Sequence, residues 1–327
     1  MARLMGEFDW SSTELGPPDA WPAEFRGAVD LMLDCRIPMM MGWGPDLRLV
    51  YNDGYIPILG EKHPVIWGLA EDVFGELWHH VGPLLMGVFE SGQAIKLENE
   101  LLPLNRRGFL EESYFTLSYS PVRDLGGTVV GLLSTAVETT REVVAARRER
   151  VLRELAEPLG PMHPHTAVAT ACRALARTRE VPFHAVFLRD AGGTMRLTSS
   201  ANASIAFREH LPEMELSLLA ALLPGPEGED LARVELARLS GIAPDETAAS
   251  SCTHAAVMAL PELGTWGGPG PSGFMVLGLG SDIPWDDDYR AFVRRVAFLV
   301  EGQHDAQRVR ALLLAEAEDR YRELFVQ

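Results

Sequence analysis

The chain has 327 residues, 47% of them hydrophobic and 23% charged, with a formal net charge of −17 and a mean hydropathy of +0.01. That length suits two domains with a core each, and the excess of acid would repel a phosphate backbone, so nucleic acid is not expected as a partner. No run approaches the roughly 18 apolar residues of a bilayer span, and the start MARLMGEFDW lacks the basic-then-apolar order of a signal peptide, so no membrane contact and a cytoplasmic location are expected. Cys35, Cys172 and Cys252 are widely spaced and form no CxxC, which argues against a disulfide framework or a cysteine-rich zinc site.

The first predicted element is a helix from Pro22 to about Asp34, in which Phe25, Val29, Met32 and Leu33 recur on one face. IPMMMGWG and LRLVYN, joined by Gly44-Pro45-Asp46, read as a hairpin. In YNDGYIPILGEKHP, Asn52 and Asp53 are placed to cap a first helical turn and Gly60 to end a short helix. His63 there would be catalytic only if partners arrived from elsewhere. Short apolar helical pieces follow, ending in the helix GPLLMGVFESG, and then three strand-like runs, AIKLENELLPL, EESYFTLSYSPV and TVVGLLSTAVE, the last two turning at Gly126-Gly127. This order fits a mainly antiparallel sheet of five strands with helices over one face.

Residues 139–159 are charged and helical, with Val144, Val151 and Leu155 on a rough seven-residue stripe that would pair with a second copy; a solvated linker helix is the plainer alternative. The second half has a helix over His165–Arg179, a strand at VPFHAVFLRD, a turn at Gly192-Gly193 and a strand at MRLTSSA. Two more strands are expected at HAAVMALPEL and GFMVLGLGS, around the loop GTWGGPGPS, then one long helix from Trp285 to Phe325. Residues 204–247 alternate helical pieces with Pro and Gly and are the least readable. The fold class is therefore α+β, with two domains, each a mainly antiparallel sheet with flanking helices.

The stretch Tyr51-Asn52-Asp53-Gly54-Tyr55 with Leu59-Gly60, together with GPPDAWP, WGPDLRLVYND, EESYFTLSYSPVRD and the ending Glu138-Thr139-Thr140, resembles a PAS domain, most of all those at the front of bacterial sensor histidine kinases. GFMVLGLGSDIPWDDDYRAFVRRVAFLVEGQHDAQR resembles the end of a GAF domain, and AEAEDRYRELFVQ the entry helix of a further PAS domain. The resemblance implies a PAS-like domain over 1–140, a linker helix over 141–160, a GAF-like domain over 161–305 and a signalling helix over 306–327. It implies a non-catalytic sensory module in a two-component system, a homodimer that relays to a downstream output domain. That output is expected to be a histidine kinase, with a PP2C-type phosphatase or a cyclic-dinucleotide enzyme as alternatives. A dimerisation scaffold without ligand is the rival reading.

A PAS core can enclose a small molecule, and Met39, Met41, Trp43, Tyr55, Trp67, Trp78, Phe115 and Tyr119 are the pocket-facing candidates; the bland alternative is that they fill the core. No cofactor is required. His79 or His80 is the place for a haem ligand and Cys252 with His254 for a bilin, neither favoured. The flavin motif of the light-sensing PAS branch is missing, since Cys35 lies before the first strand and reads as a half-buried helix-end thiol. No metal site is expected: adjacent His79 and His80 diverge by about 100° on a helix. His304-Asp305 has the first two letters of a phospho-acceptor box but reads as helix surface, and no phosphate loop appears. The acids Glu111-Glu112 and Asp286-Asp287-Asp288 read as solvated turns and helix caps.

Overall fold

The computed structural model describes residues 1–106, 108–190, 194–202, 231–236, 252–260 and 273–325. The turn at Gly192-Gly193, the loop GTWGGPGPS and the stretch 204–230 lie outside the described residues. The chain divides into two compact units, Met1–Val144 and Ala145–Gln327.

In the first unit α1 (Ala2–Glu7) and α2 (Ala23–Asp34) precede β1 (Met39–Trp43) and β2 (Arg48–Tyr51). Three helices follow, α3 (Ile56–Leu59), α4 (Ala70–Val73) and α5 (Trp78–Ser91). The strands β3 (Ile95–Leu101), β4 (Leu104–Asn105), β5 (Leu110–Glu111), β6 (Tyr114–Arg123) and β7 (Val129–Glu138) complete it. The sheet runs β2-β1-β7-β6-β3 with every pair antiparallel. Two of its joins are local: the β1–β2 hairpin and the β6–β7 hairpin, where Gly127 takes φ +88° at little steric cost. Of the other two, β3 pairs with β6, and β1 against β7 brings Met40 opposite Ser134, 94 positions later.

Because side chains alternate along a strand, Met39, Met41 and Trp43 share the face opposite to Met40. Phe25 of α2 lies edge-on to Trp43, with centroids 4.9 Å apart, and Trp10, Trp21 and Trp67 extend the same cluster. Phe25, Val29 and Met32, spaced four and three apart, are the buried stripe of α2. Helices thus cover both faces of this sheet, one more than the sequence reading expected, because the aromatic N-terminal segment packs on the second.

The boundary between units falls inside α6 (Thr140–Ala156). The second unit continues with α7 (Pro164–Ala171), β8 (His184–Arg189), β9 (Met195–Ala201), β10 (Leu231–Glu235), β11 (His254–Leu260), β12 (Gly273–Leu279) and α8 (Asp287–Phe325). Its sheet runs β10-β11-β12-β8-β9, again antiparallel. All seven residues of the central strand β12 are buried, so it reads as a continuous apolar run rather than an alternating one.

The helical stripe proposed for pairing lies elsewhere than expected. Val151 and Leu155, with Leu152, are buried in the core of their own unit beside Tyr289, Val293 and Val296 of α8. Arg147 forks onto the fully buried Glu180 through Nε and Nη2 at 2.9 and 2.7 Å, and Arg148 stacks over the Tyr289 ring at 4.9 Å. On α8, Gln303 donates to the carbonyls of Leu155 and Glu157, both at 2.9 Å, and Gln307 to that of Gly160 at 3.2 Å. The segment that leaves α6 is therefore held by glutamine side chains of α8.

Candidate functional site

The site starts from the end of β2. Asn52 is buried, and its Oδ1 accepts from the backbone N–H of Met39 at 3.0 Å and of Tyr55 at 3.2 Å. The second bond caps the turn Asp53–Tyr55, as the residue type predicts, and it sets the point where the Tyr55 ring enters the unit. Nearby, the Tyr51 hydroxyl accepts from Val65 N and meets His63 Nδ1 at 2.8 Å, so His63 ties down the loop.

Beyond Tyr55 the sheet and the helices enclose an apolar cavity of about 30 Å3, room for about two water molecules. Met40, Phe115, Leu117, Tyr119 and Ala136 form its floor, and Ile58, Phe74, Leu77, Val81 and Leu85 its roof; Leu102 and Leu104 complete the lining. Ser134 stands on the floor side between its cross-strand partners Met40 and Tyr119. It is 1% exposed, its hydroxyl has no hydrogen-bond partner among the described residues, and it stands beside the lining, not in it. Burial first, and Tyr119 second, push the Tyr55 phenol above its ordinary pKa; burial, then Glu100, push Tyr119 up to about 12. Both phenols stay protonated at neutral pH. The cavity thus offers an apolar box lined by two phenols and no charged residue, a setting for binding and not for acid–base chemistry.

The wall of this cavity is wired to the end of the unit. Leu104 lines it, and two residues later Arg106 is ion-paired with Glu111 at 3.0 Å and with Glu138 at 2.8 Å. Glu138 accepts from Thr140 Oγ1, which itself accepts from Tyr114 N at 3.0 Å. Gly60 presses on the backbone of Arg106 with φ +56°; a Cβ there would stand 2.7 Å from the Arg106 carbonyl oxygen. Glu111 and Glu112, expected in a solvated turn, are 3% and 5% exposed, because Arg106 and the Tyr114 hydroxyl draw them in.

Of the pocket-facing candidates, Tyr55, Phe115 and Tyr119 meet at the cavity. Met39, Met41 and Trp43 stand on the opposite face, Trp67 joins the aromatic cluster there and donates to Glu14 at 3.2 Å, and Trp78 packs on the next turn of its own helix at Gly82. His79 and His80 are exposed on α5, with His80 against Glu100 at 2.8 Å. Cys252 is buried, its thiol pushed up to about 11 by burial and donated to the His254 carbonyl at 3.1 Å. Cys35, partly buried, closes α2. His304 is not a surface residue: it is 5% exposed and lies against His165, ring centroids 6.2 Å apart. Asp286 caps α8 by accepting from Tyr289 N at 2.8 Å. Among the described residues no group of three or more His, Cys, Asp or Glu is placed to hold a metal ion.

Sequence reasoning missed Met40 and the leucine half of the lining, and the buried Ser134 beside it. Three consecutive methionines hide the strand's phase, and the Met40–Ser134 pairing is non-local.

No protein-family model matches the sequence, and no curated protein matches it. Solved structures do. A LOV protein of Rhodobacter sphaeroides is 14% identical with a TM-score of 0.31, over 40% of this chain and 77% of that one. The GAF domain of a putative sensor histidine kinase from Pseudomonas syringae pv. tomato is 14% identical with a TM-score of 0.35, over 53% and 97%. A sensory box sensor histidine kinase from Vibrio cholerae is 15% identical with a TM-score of 0.27, over 36% and 94%. No helix among the described residues is long and apolar enough to cross a membrane.

Proposed function

We propose that the chain is a sensory module of a signal-transduction protein, in which the first unit takes up a small, largely apolar molecule with one polar group and passes the change to α6. One observation carries the reading: the cavity that Tyr55 and Tyr119 line also has Leu104 in its wall, and Leu104 adjoins the Arg106–Glu138–Thr140 network where α6 begins. A ligand that displaces Leu104 would move Arg106 between two arrangements of its ion pairs, a two-state element of the kind a signal needs. The parent protein on this reading is a cytoplasmic histidine kinase, as the resemblance implies, with a PP2C-type phosphatase or a cyclic-dinucleotide enzyme as other outputs.

Relay calls for a second copy, and α8 offers the surface. Past Gln307 its Val309, Leu312 and Leu313 are 56%, 43% and 61% exposed. Their spacing of three and four puts them on one helix face, free to pair with the same face of another chain.

Gently purified protein is analysed by native mass spectrometry with an absorption spectrum from the near ultraviolet to the red. A bound small molecule supports sensing, and its loss in Tyr119→Phe supports this cavity as its place. A scaffold without ligand is the second reading, favoured by a cavity that holds about two waters; a clean apo mass and no binder in a small-molecule screen would establish it. Sedimentation tests the pairing: a dimer at micromolar concentration that Leu313→Glu dissociates is the expected result.

A further inference from the structure

The second unit contains a different kind of cavity, larger and polar, which the reading above does not use. It measures about 110 Å3, several times the room that a single water needs. Register places it. Glu235 pairs with His254 and His254 with Leu279, while Arg233 is two residues from Glu235 on β10; alternation puts Arg233, Glu235, His254 and Leu279 on one face of the sheet. That face carries the core shared with α6 and α8. Where the sheet ends, Ser281 to Tyr289 cross over it, so Arg233, Thr253 and His254 stand opposite Trp285 and Tyr289.

The groups in this cavity have unequal commitments. Tyr289 is spoken for: its hydroxyl donates to the Glu180 carbonyl and accepts from Gly280 N at 3.2 Å, so it is a fixed wall. His254 meets Thr253 Oγ1 at 2.9 Å through Nδ1, and burial, then Arg233, lower its pKa while Glu235 raises it, so the ring is mainly neutral at pH 7. Arg233 is exposed to the cavity and has no ion-pair partner among the described residues, and the half-buried Trp285 indole N–H has no acceptor among them.

We infer that this cavity is a binding site for a small aromatic carboxylate. The Arg233 fork is matched in shape to a carboxylate, which it holds through two parallel N–H bonds. Trp285 presents an aromatic surface for a planar ring to pack on at stacking or edge-to-face distance. The neutral His254 and Thr253 supply neutral hydrogen bonds without adding a second cation, which disfavours a multiply charged anion. The site lies on the α8 side of the sheet, so a bound acid would bear on the start of the helix that leaves the unit.

The test uses the full chain with benzoate as the probe and inorganic phosphate as the comparison, followed by calorimetry and saturation-transfer NMR. Benzoate is expected to bind saturably, with affinity falling about tenfold or more in Arg233→Ala and partly restored in Arg233→Lys. Trp285→Ala is expected to weaken it, while Trp285→Phe, which keeps a ring, retains most of it. Arg233 is exposed on an edge strand, and an unchanged thermal transition confirms that its variants fold. The inference is overturned if benzoate shows no binding at millimolar concentration, if Arg233→Ala binds it as well as the parent, or if phosphate displaces it from a site indifferent to Trp285.

Discussion

The side-chain oxygen of Asn52 accepts the backbone N–H of Tyr55 at 3.2 Å, and the rest of the same amide is committed in other directions. Its Nδ2 faces the carbonyls of Ile37, Cys35 and Met32 at 2.7, 2.9 and 3.1 Å, and its Oδ1 also accepts from Met39. One buried side chain thus joins the end of α2, the start of β1, the end of β2 and the turn that carries Tyr55. A helix cap by itself is worth about 1 kcal/mol. Here truncation would strand several backbone groups at a site 1% exposed, each costing about 1–3 kcal/mol. Asn52→Ala is therefore expected to lose about 3 kcal/mol in urea unfolding, and Asn52→Asp, which turns a carboxylate oxygen toward three carbonyls, at least as much. A loss near 1 kcal/mol would mean that only the cap matters.

Ser134 gives a prediction of the opposite sign. A buried hydroxyl without a partner costs stability, and replacing it with a methyl group is neutral or favourable. Ser134→Ala is expected to stabilise the first unit by about 0.5–1 kcal/mol. Were the variant destabilised by more than about 1 kcal/mol, the hydroxyl would be holding an ordered water.

Arg147 and Glu180 bind α6 to the second unit. The carboxylate is fully buried and the guanidinium nearly so, at 0% and 13% side-chain exposure, so removal of one partner leaves an uncompensated charge at a cost of about 3–5 kcal/mol. Arg147→Met is expected toward the lower end, since Arg148 stands 3.6 Å from the same carboxylate; Glu180→Gln leaves two cations facing an amide. Hydrogen exchange should show α6 amides near Arg147 opening faster in both variants while those of β12 keep their protection. Equal loss across both elements would place the pair in the global core and not in the helix attachment.

The fold class was legible because the patterns that define it are local. Phe25, Val29 and Met32 have helical spacing, the alternation of YFTLSYS marks a half-buried strand, and the apolar GFMVLGL a fully buried one. What escaped was set by distant partners. The MMM run of β1 is apolar at every position, so its phase is decided only by pairing with β7. The edge strand LARVE shows two charges and no apolar run. Glu111, Glu112 and His304 read as solvated because polar residues usually are, yet Arg106 and Tyr114 fold back on the two glutamates from five and two residues away, and His165 comes to His304 from another helix. The same limit applied to the site. Tyr55 was found through its motif, whereas Ser134 carries no signal of its own.

Two buried groups on α8 are expected to give the second unit a pH optimum. Burial, and then Asp305, raise Glu301 from 4.5 to about 7; burial, then Arg308, His165 and His163, lower His304 from 6.5 to about 4. The stability associated with neutral Glu301 is full below pH 4.5 and is lost as pH rises through 7. That associated with neutral His304 is full above pH 6.5 and is lost as pH falls through 4. These two groups together favour folding most between about pH 5 and 6, with an arm of decline on either side. One pKa unit corresponds to about 1.4 kcal/mol, so Glu301→Gln, which mimics the neutral acid, is expected to exceed the parent by about 2 kcal/mol at pH 8 and to match it at pH 5. His304→Gln should flatten the acid arm alone. Urea titrations of the three proteins across pH 4–8 read both arms, and a Glu301→Gln difference that stayed constant over that range would show a packing effect in place of a titration.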